Sequence, residues 1–178
     1  MPRIFAAIPI DTGIAEALQP LMKGLHGVRW TPPERLHVTL RFAGEMPETS
    51  VAQLGEALAQ VRAAPVQVAL EGAGSFELGH GRGVLWAGVR PDAGLAELQS
   101  HCEAAARLAG LPPDEREWLP HVTVGYMNHY SPAAAAWGRR HQSLRTGPME
   151  ASAFGLYESV RTGGDLQYRL VQSYRLGA

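Results

Sequence analysis

Two copies of one four-residue pattern carry the side chains in this sequence best suited to chemistry. Residues 37–40 read His-Val-Thr-Leu, and residues 121–124 read His-Val-Thr-Val. Histidine gives or takes a proton near neutral pH, because its ordinary pKa is about 6.5. Two histidines can divide acid and base work, while threonine hydroxyls hydrogen-bond phosphate oxygens. The pattern therefore predicts metal-free phosphate chemistry at a site containing His37, Thr39, His121 and Thr123.

Each copy is expected to lie on a β-strand, where side chains alternate between two faces. The histidine and threonine of a copy then share one face, and its two apolar residues anchor the other face in a core. A single copy would more often be an ordinary strand, because threonine and valine favour strands. Shuffling a chain of this composition gives only about 0.06 copies. Two copies therefore favour a functional site.

Composition places the chain among ordinary globular proteins. Its 178 residues, 46% hydrophobic and 19% charged, suffice for one core or for two small lobes that share an interface. Cys102 is the only cysteine, which excludes an intramolecular disulfide and is typical of a cytoplasmic protein. No apolar run reaches membrane-spanning length, and the first nine residues do not resemble a signal peptide. We therefore expect a cytoplasmic protein without membrane contact.

The charge balance argues against a broad surface for gripping long nucleic acid. The formal net charge is −1 and the isoelectric point is about 6.7. The last third of the chain is nevertheless richer in arginine than in acids. Two interpretations stay open, a solvated surface of mixed charge and a modest anion-attracting rim. The arginines in question are Arg139, Arg140, Arg145, Arg161, Arg169 and Arg175.

Hydrophobic periodicity and turn residues predict alternating strands and helices. Strands are expected at 3–10, 35–42, 66–71, 84–89, 118–126, 149–158 and 167–175. Helices are expected at 48–62, 92–109 and 131–141, and from 11 or 12 to 25, where Pro20 should bend or split the helix. A glycine-rich loop is expected at 72–83. Each motif strand is preceded by a helix and is followed by a helix and then two strands. This repetition predicts one α+β domain over 1–178, bilobal, with two pseudo-symmetric αβ lobes and antiparallel sheets around a central cleft.

The paired tetrapeptides resemble the signature of the two-histidine (2H) phosphoesterases. The wider pattern resembles the bacterial LigT-like branch, the RNA 2′,3′-cyclic phosphodiesterases of the 2′-5′ RNA ligase family. The resemblance extends over nearly the whole chain. Its segments are 3–8, 30–36, 41–45, 84–89, the proline at 120, and the ending from 157 to 168.

The resemblance implies a role for each motif residue. His37 would be the proton donor and His121 the proton acceptor, while Thr39 and Thr123 would hold the phosphate. The substrate would be an RNA end or a 2′,3′-cyclic nucleotide, hydrolysed to a 2′-phosphate. The scheme implies no cofactor and no metal, and we expect a monomer.

The chain departs from the family after the second motif, where a small and then a basic residue are common. Gly125 and Tyr126 stand there instead, and Tyr126 is a candidate for stacking on a base or ribose. Arg41, expected in phase with the first motif's histidine and threonine, is a candidate for the missing charge; otherwise it is a solvent-facing strand end. Phe42 and His129 are further candidate substrate contacts.

Three functions stay open on the sequence alone. The first is metal-independent hydrolysis of cyclic phosphate ends. The second is ATP-independent 2′-5′ joining of RNA ends, by reversal of the same chemistry. The third is a binding module for RNA ends without turnover. Assaying a 2′,3′-cyclic nucleotide in the presence of EDTA separates the first from the third.

Overall fold

The computed structural model describes residues 1–177 and has an α+β architecture. The helices are α1 (Thr12–Leu18), α2 (Glu48–Leu58), α3 (Ala93–Leu108) and α4 (Pro132–Arg140), with short 3-10 turns at Gln19–Leu21, Pro33–Arg35 and Gly79–Gly81. The strands are β1 (Arg3–Pro9), β2 (Val28–Trp30), β3 (His37–Glu45), β4 (Val66–Glu77), β5 (Gly83–Val89), β6 (His121–Met127), β7 (Arg145–Ala151), β8 (Ala153–Thr162) and β9 (Asp165–Arg175). None of these helices is long and apolar enough to cross a membrane.

The strands form one antiparallel sheet with the two motif strands at its centre. Its order is β7-β4-β5-β6-β3-β1-β8-β9, and the short β2 pairs with β6. β3 and β6 meet where Val38 lies opposite Val122, and three strands extend outward from each. The α+β prediction with antiparallel strands is confirmed. The two halves are joined into a continuous sheet at that central pairing.

The chain crosses between the halves, so the sequence repeat and the spatial halves do not coincide. β4 and β5 follow the first motif in sequence but lie on the β6 side of the sheet, where β5 pairs with β6, the strand of the second motif. β8 and β9 follow the second motif but lie on the β3 side, where β8 pairs with β1. Because β1 already pairs along most of β3, the strands that follow β3 must find another edge.

The apolar residues of both motifs lie in the core, as alternation predicts. Val38 and Val122 are fully buried, and Leu40 and Val124 are 1% exposed. All four belong to one hydrophobic cluster with the buried faces of the helices. α3 packs against β3, and α4 packs against β4. The opposite face of each motif strand is therefore free to carry the histidine and threonine.

Local signals set the helix ends. The Asp11 carboxylate accepts a hydrogen bond from the Ile14 amide at 2.8 Å, which caps the start of α1. The helix predicted to reach residue 25 is shorter in the structure, because α1 ends at Leu18 and the chain continues only as the 3-10 turn Gln19–Leu21, which contains Pro20. α4 begins at Pro132, where a missing amide hydrogen costs nothing.

The predicted loop over residues 72–83 is wrong, because β4 continues to Glu77. Gly72 has φ +73° and lies at a register shift between β4 and β5, which is the geometry of a bulge. Gly74 lies under the Trp86 ring, where a Cβ would approach the ring to 2.2 Å. Within the strand, Gly72 therefore permits a bulge, and Gly74 permits a close aromatic contact.

Two strands escaped the sequence analysis. β2 has only three residues and occupies the region interpreted as a loop. In place of the two terminal strands predicted at 149–158 and 167–175, the structure has three, β7, β8 and β9. β7 begins in a segment with little alternation of apolar residues, and its pairing with β4 stabilises it.

Candidate functional site

The central pairing brings the four motif residues together on one face of the sheet. The antiparallel register about this pairing places His37 opposite Thr123, and His121 opposite Thr39. Directly opposed residues project to the same side of a sheet. Each histidine therefore faces the threonine of the other motif, and the two copies are related by an approximate twofold axis.

A β-bulge follows the threonine in both motif strands. The extra residue is Leu40 after Thr39 on β3, and Val124 after Thr123 on β6. A bulge bends its strand and shifts the phase of the side chains that follow. The repetition of this feature shows that the two motifs share backbone geometry as well as sequence.

The backbone holds both imidazoles in the same tautomer. His37 Nδ1–H donates to the Arg35 carbonyl at 2.7 Å, and His121 Nδ1–H donates to the Leu119 carbonyl at 2.6 Å. A carbonyl oxygen can only accept, so Nδ1 carries the hydrogen in both rings. Nε2 is then the nitrogen of each ring that can take up or release a proton.

Aromatic side chains pack against both imidazoles. The neighbours are Phe5 and Tyr168 for His37, at 5.1 and 5.3 Å between ring centroids, and Phe76 and Trp86 for His121, at 5.7 and 6.5 Å. Burial, with a smaller effect of Tyr126, raises the pKa of Tyr168 to about 12, so its hydroxyl stays protonated. These rings restrict the orientations open to the imidazoles and keep water from one side of each.

The protein environment lowers the pKa of His37. The main cause is burial, which disfavours the charged ring, and a charge on His121 opposes it further. The hydrogen bond to the Arg35 carbonyl acts in the opposite direction and raises the pKa, but it does not prevail. His37 therefore holds a proton less readily than an ordinary histidine.

A cavity of about 810 Å³ opens beside the motif residues. His37, Thr39 and Thr123 line it directly. His121 is not among the lining residues, although its place opposite Thr39 puts it on the same face of the sheet. The cavity contains hydroxyl and imidazole groups next to aromatic surface, which suits an anion attached to a ring system.

The two residues that return to the cavity face after the bulges are aromatic. Phe42 follows His37 by five positions, and Tyr126 follows His121 by the same interval. Both line the cavity, and Phe42 is 41% exposed. The cavity thus has an aromatic side chain from each motif strand, in the position where substrate contacts were predicted.

Arginine is the dominant charged residue of the cavity. The five lining arginines are Arg3, Arg29, Arg35, Arg82 and Arg161. None of them belongs to the five ion pairs found within residues 1–177. Of the six arginines considered for a rim in the sequence analysis, only Arg161 lines this cavity. The positive charge comes from strands and turns on both sides of the site.

The prediction that Arg41 faces the substrate is wrong. The bulge after Thr39 places both Leu40 and Arg41 on the buried side of β3, and Arg41 is only 8% exposed. Its guanidinium forms an ion pair with Glu103 of α3 and donates to the Pro112 carbonyl at 2.6 Å. Arg41 therefore ties the first motif strand to α3 and the segment that follows it.

Replacing Arg41 with alanine is expected to lower the free energy of unfolding by about 3 kcal/mol, because Glu103 would stay largely buried without its partner. Urea denaturation measures this loss. The exposed pair between Arg145 and Glu71 is the matched control, where Arg145→Ala should cost less than about 1 kcal/mol. Equal costs for the two variants would contradict the structural role of Arg41.

The structure does not support a substrate contact at His129. This residue is exposed, lies beyond the end of β6, and is not among the residues that line the cavity. The sequence analysis did not identify several residues that line the cavity, Arg35 and Tyr168 among them. Arg35 donates to the Leu166 carbonyl at 3.0 Å and stands 5.9 Å from the Tyr168 ring centre, so it joins the β8–β9 hairpin to the cavity. No local pattern marks such contacts, because they join distant segments.

Neither a metal cluster nor the cavity beside α2 competes with this site in the described chain. Residues 1–177 contain no group of three or more His, Cys, Asp or Glu side chains placed to hold a metal. A second cavity of about 450 Å³ lies between α2 and the β8–β9 pair, and neither histidine nor threonine lines it.

Solved structures share this fold over the full length of the chain. E. coli LigT complexed with 3′-AMP superposes with a TM-score of 0.79, at 22% identity, over all of both chains. A Thermus thermophilus protein superposes with a TM-score of 0.75, at 24% identity, over 97% of each chain. At these identities the likeness establishes the fold.

Sequence comparison establishes the family. An RNA 2′,3′-cyclic phosphodiesterase of Archaeoglobus fulgidus is 32% identical over 163 residues, which span 90% of this chain and 92% of that protein. One from Aeropyrum pernix is 33% identical over 132 residues, 72% of this chain and 75% of that protein. The model of the 2′-5′ RNA ligase superfamily matches residues 10–163. With both motif strands inside that match, the chain belongs to the 2′-5′ RNA ligase superfamily.

Proposed function

We propose that this protein hydrolyses RNA 2′,3′-cyclic phosphate ends to 2′-phosphomonoesters without a metal. The observation that carries the proposal is the opposition of two His-Thr pairs across the central strand pairing, on the face with the basic cavity. The relatives named RNA 2′,3′-cyclic phosphodiesterases support the same reaction.

In this proposal the two histidines divide the proton transfers. Neutral His121 accepts a proton at Nε2 from a water molecule, whose oxygen forms a bond to phosphorus. The bond from phosphorus to the 3′ oxygen breaks, and protonated His37 donates its Nε2 proton to that leaving oxygen. The product is a 2′-phosphomonoester with a free 3′ hydroxyl. Each histidine finishes in the other's starting state.

Because the pKa of His37 is lowered in the free protein, the bound substrate is proposed to favour protonation of this histidine. In the free protein, burial and the charge on His121 disfavour a proton on His37. The cyclic phosphate carries a negative charge, and a nearby anion favours the protonated imidazole. We propose that substrate binding raises the pKa of His37 and so prepares it to act as the acid.

The hydroxyls of Thr39 and Thr123 are proposed to donate hydrogen bonds to the non-bridging phosphate oxygens. Negative charge builds on these oxygens as water attacks, so donors fixed in advance stabilise the transition state. The arginines around the cavity add a positive field that attracts anions. Hydroxyls and imidazolium thus perform the charge stabilisation that a divalent cation supplies in other phosphodiesterases.

We propose that Phe42 and Tyr126 contact the base or ribose of the terminal nucleotide. Both line the cavity, and aromatic faces accept any base by stacking. This arrangement favours recognition of an RNA end over recognition of a particular sequence.

A single assay tests the metal-free hydrolase against metal-dependent hydrolysis and against a non-catalytic binding module. The purified protein is incubated with a nucleoside 2′,3′-cyclic phosphate in EDTA, and the product is identified by chromatography. We expect an unchanged rate in EDTA and a 2′-phosphate product. Loss of activity that returns with added metal would overturn the metal-free scheme, and a 3′-phosphate product would reverse the proposed substrate orientation. Binding without turnover would indicate a non-catalytic module.

The profile of kcat/KM against pH is expected to be bell-shaped, because one histidine must be protonated while the other is neutral. The lowered pKa of His37 makes the fully protonated pair lose its first proton below pH 6.5. The acidic limb should therefore lie below 6.5, with activity lost as the pH falls through it and both rings become charged.

An NMR titration of the ring protons is the matching measurement. His121→Gln removes the neighbouring positive charge and should raise the pKa of His37. An acidic limb above pH 6.5, or a His37 pKa that falls in this variant, would contradict the assignment.

We also propose that the protein acts as a monomer in the cytoplasm. Both motif strands come from one chain, so the four motif residues need no partner subunit. The one cysteine, Cys102, is buried and free, as is typical of proteins from reducing compartments. Light scattering of the purified protein tests the oligomeric state.

A further inference from the structure

The second motif strand has an arginine on each side of its aromatic residue. Arg29 on β2 lies directly opposite Tyr126. On the other side, Val84 of β5 lies opposite Tyr126, and Arg82 precedes β5 by one residue. Arg29, Arg82 and Tyr126 all line the cavity. This places positive charge where the second motif strand itself has none.

Most hydrogen-bond donors of both arginines remain available. Arg29 Nη1 donates to the Asn128 side-chain oxygen at 3.0 Å, and Arg82 Nε donates to the Gly79 carbonyl at 3.3 Å. A guanidinium carries five N–H donors, so these bonds orient the groups without exhausting them. No carboxylate within residues 1–177 forms an ion pair with either one. Both side chains are exposed, so an anion can reach them.

These arginines stand apart from the proposed reacting phosphate. Tyr126 follows Thr123 by three residues, which is roughly 10 Å at about 3.3 Å per residue along a strand. An anion between Arg29 and Arg82 is therefore a second anion, distinct from the one that the motif threonines would hold.

The chemistry of an RNA end identifies this second anion. A nucleotide that ends in a 2′,3′-cyclic phosphate is joined to the rest of the chain only through its 5′ oxygen. We propose that Arg29 and Arg82 bind the phosphate on that 5′ oxygen, so that the protein favours a terminal nucleotide within a chain over a free nucleoside cyclic phosphate. This inference rests on the proposed function, because it concerns the same cavity.

A binding measurement tests this site without requiring turnover. Adenosine 2′-phosphate and adenosine 2′,5′-bisphosphate differ only in the 5′ phosphate, and calorimetry compares their affinities. We expect the wild type to bind the bisphosphate at least about tenfold more tightly, and Arg29→Ala and Arg82→Ala each to reduce that ratio several-fold. Each variant should also reduce the slope of log affinity for the bisphosphate against log salt concentration, by the amount expected for about one phosphate contact.

Arg62→Ala is the matched control. Arg62 is also exposed and donates to backbone carbonyls, but it does not line the cavity, so its variant should keep the wild-type ratio. Equal affinity of the wild type for the two ligands would overturn the inference, as would a ratio that neither cavity variant changes. Retention of the ratio in Arg29→Lys with loss in Arg29→Ala would support a charge-dependent contact.

Turnover then separates this inference from the proposed function. The substrates are adenosine 2′,3′-cyclic phosphate with and without a 5′ phosphate, and the measured quantity is the ratio of their kcat/KM values. We expect this ratio to fall about tenfold in Arg29→Ala. An inactive wild type that still shows the arginine-dependent binding ratio would refute the hydrolase and leave the phosphate site standing. An active wild type with a ratio unaffected by both variants would refute the site alone.

Discussion

Replacing His121 with alanine should lower kcat by about 10²–10⁴-fold, and replacing His37 with alanine should have an effect of similar size. Each substitution removes one of the two proton transfers, and the remaining histidine cannot supply both. Single-turnover rates on a 2′,3′-cyclic nucleotide measure the loss. The kcat of the double variant should be little lower than that of either single variant. The two histidines act together, so removing one already removes most of their joint contribution.

Structural controls are available within the same chain. His129→Ala removes an exposed histidine that lies near the second motif but does not line the cavity, so its activity should match the wild type. Circular dichroism and thermal melting should show that both motif variants stay folded, since neither side chain belongs to the hydrophobic cluster. Full activity in either motif variant would refute the division of acid and base roles.

Replacing Thr39 or Thr123 with alanine should lower kcat by about 10–10³-fold, as expected when a donor to developing negative charge is removed. The effect should fall mainly on kcat, because the hydrogen bond strengthens as charge builds in the transition state. Steady-state kinetics on the same substrate separate kcat from KM.

Two conservative variants sharpen this test. Thr39→Ser keeps the hydroxyl and should retain most of the activity, whereas Thr39→Val keeps the shape and should resemble alanine. The same comparison applies at Thr123, since the two threonines occupy equivalent places opposite the histidines. A valine variant as active as the wild type would show that the hydroxyls do not bind the reacting phosphate.

Local periodicity made the core of the site predictable. Alternation along a strand needs only neighbouring residues, so the shared face of His37 and Thr39 and the buried face of Val38 and Leu40 follow from the sequence. The repeated order of helices and strands around the two motif strands also predicted an α+β fold with antiparallel strands, and the structure has both.

Features that depend on distant segments were not predictable in this way. The phase of Arg41 depends on a bulge set by pairing with β1, so simple alternation placed it on the wrong face. The cavity arginines at 29 and 82 come from a three-residue strand and a turn, where no pattern indicates that they meet. The aromatic contacts of His37 with Tyr168 join residues far apart in the sequence. Each of these features depends on which strands are neighbours in the sheet.

The crossing of the chain between the halves of the sheet has a consequence for how the protein folds. Strands β4 to β7 come from the continuous stretch 66–151, so these four strands can assemble from one uninterrupted segment. The other half joins β1, at the amino end, to β8 and β9, at the carboxyl end. Contacts of such long sequence separation form slowly, because a long loop must close first. During synthesis the half with β6 can therefore form before the half with β3, which is completed only after β8 and β9 leave the ribosome. The two histidines meet in a finished site only when β9 has been made.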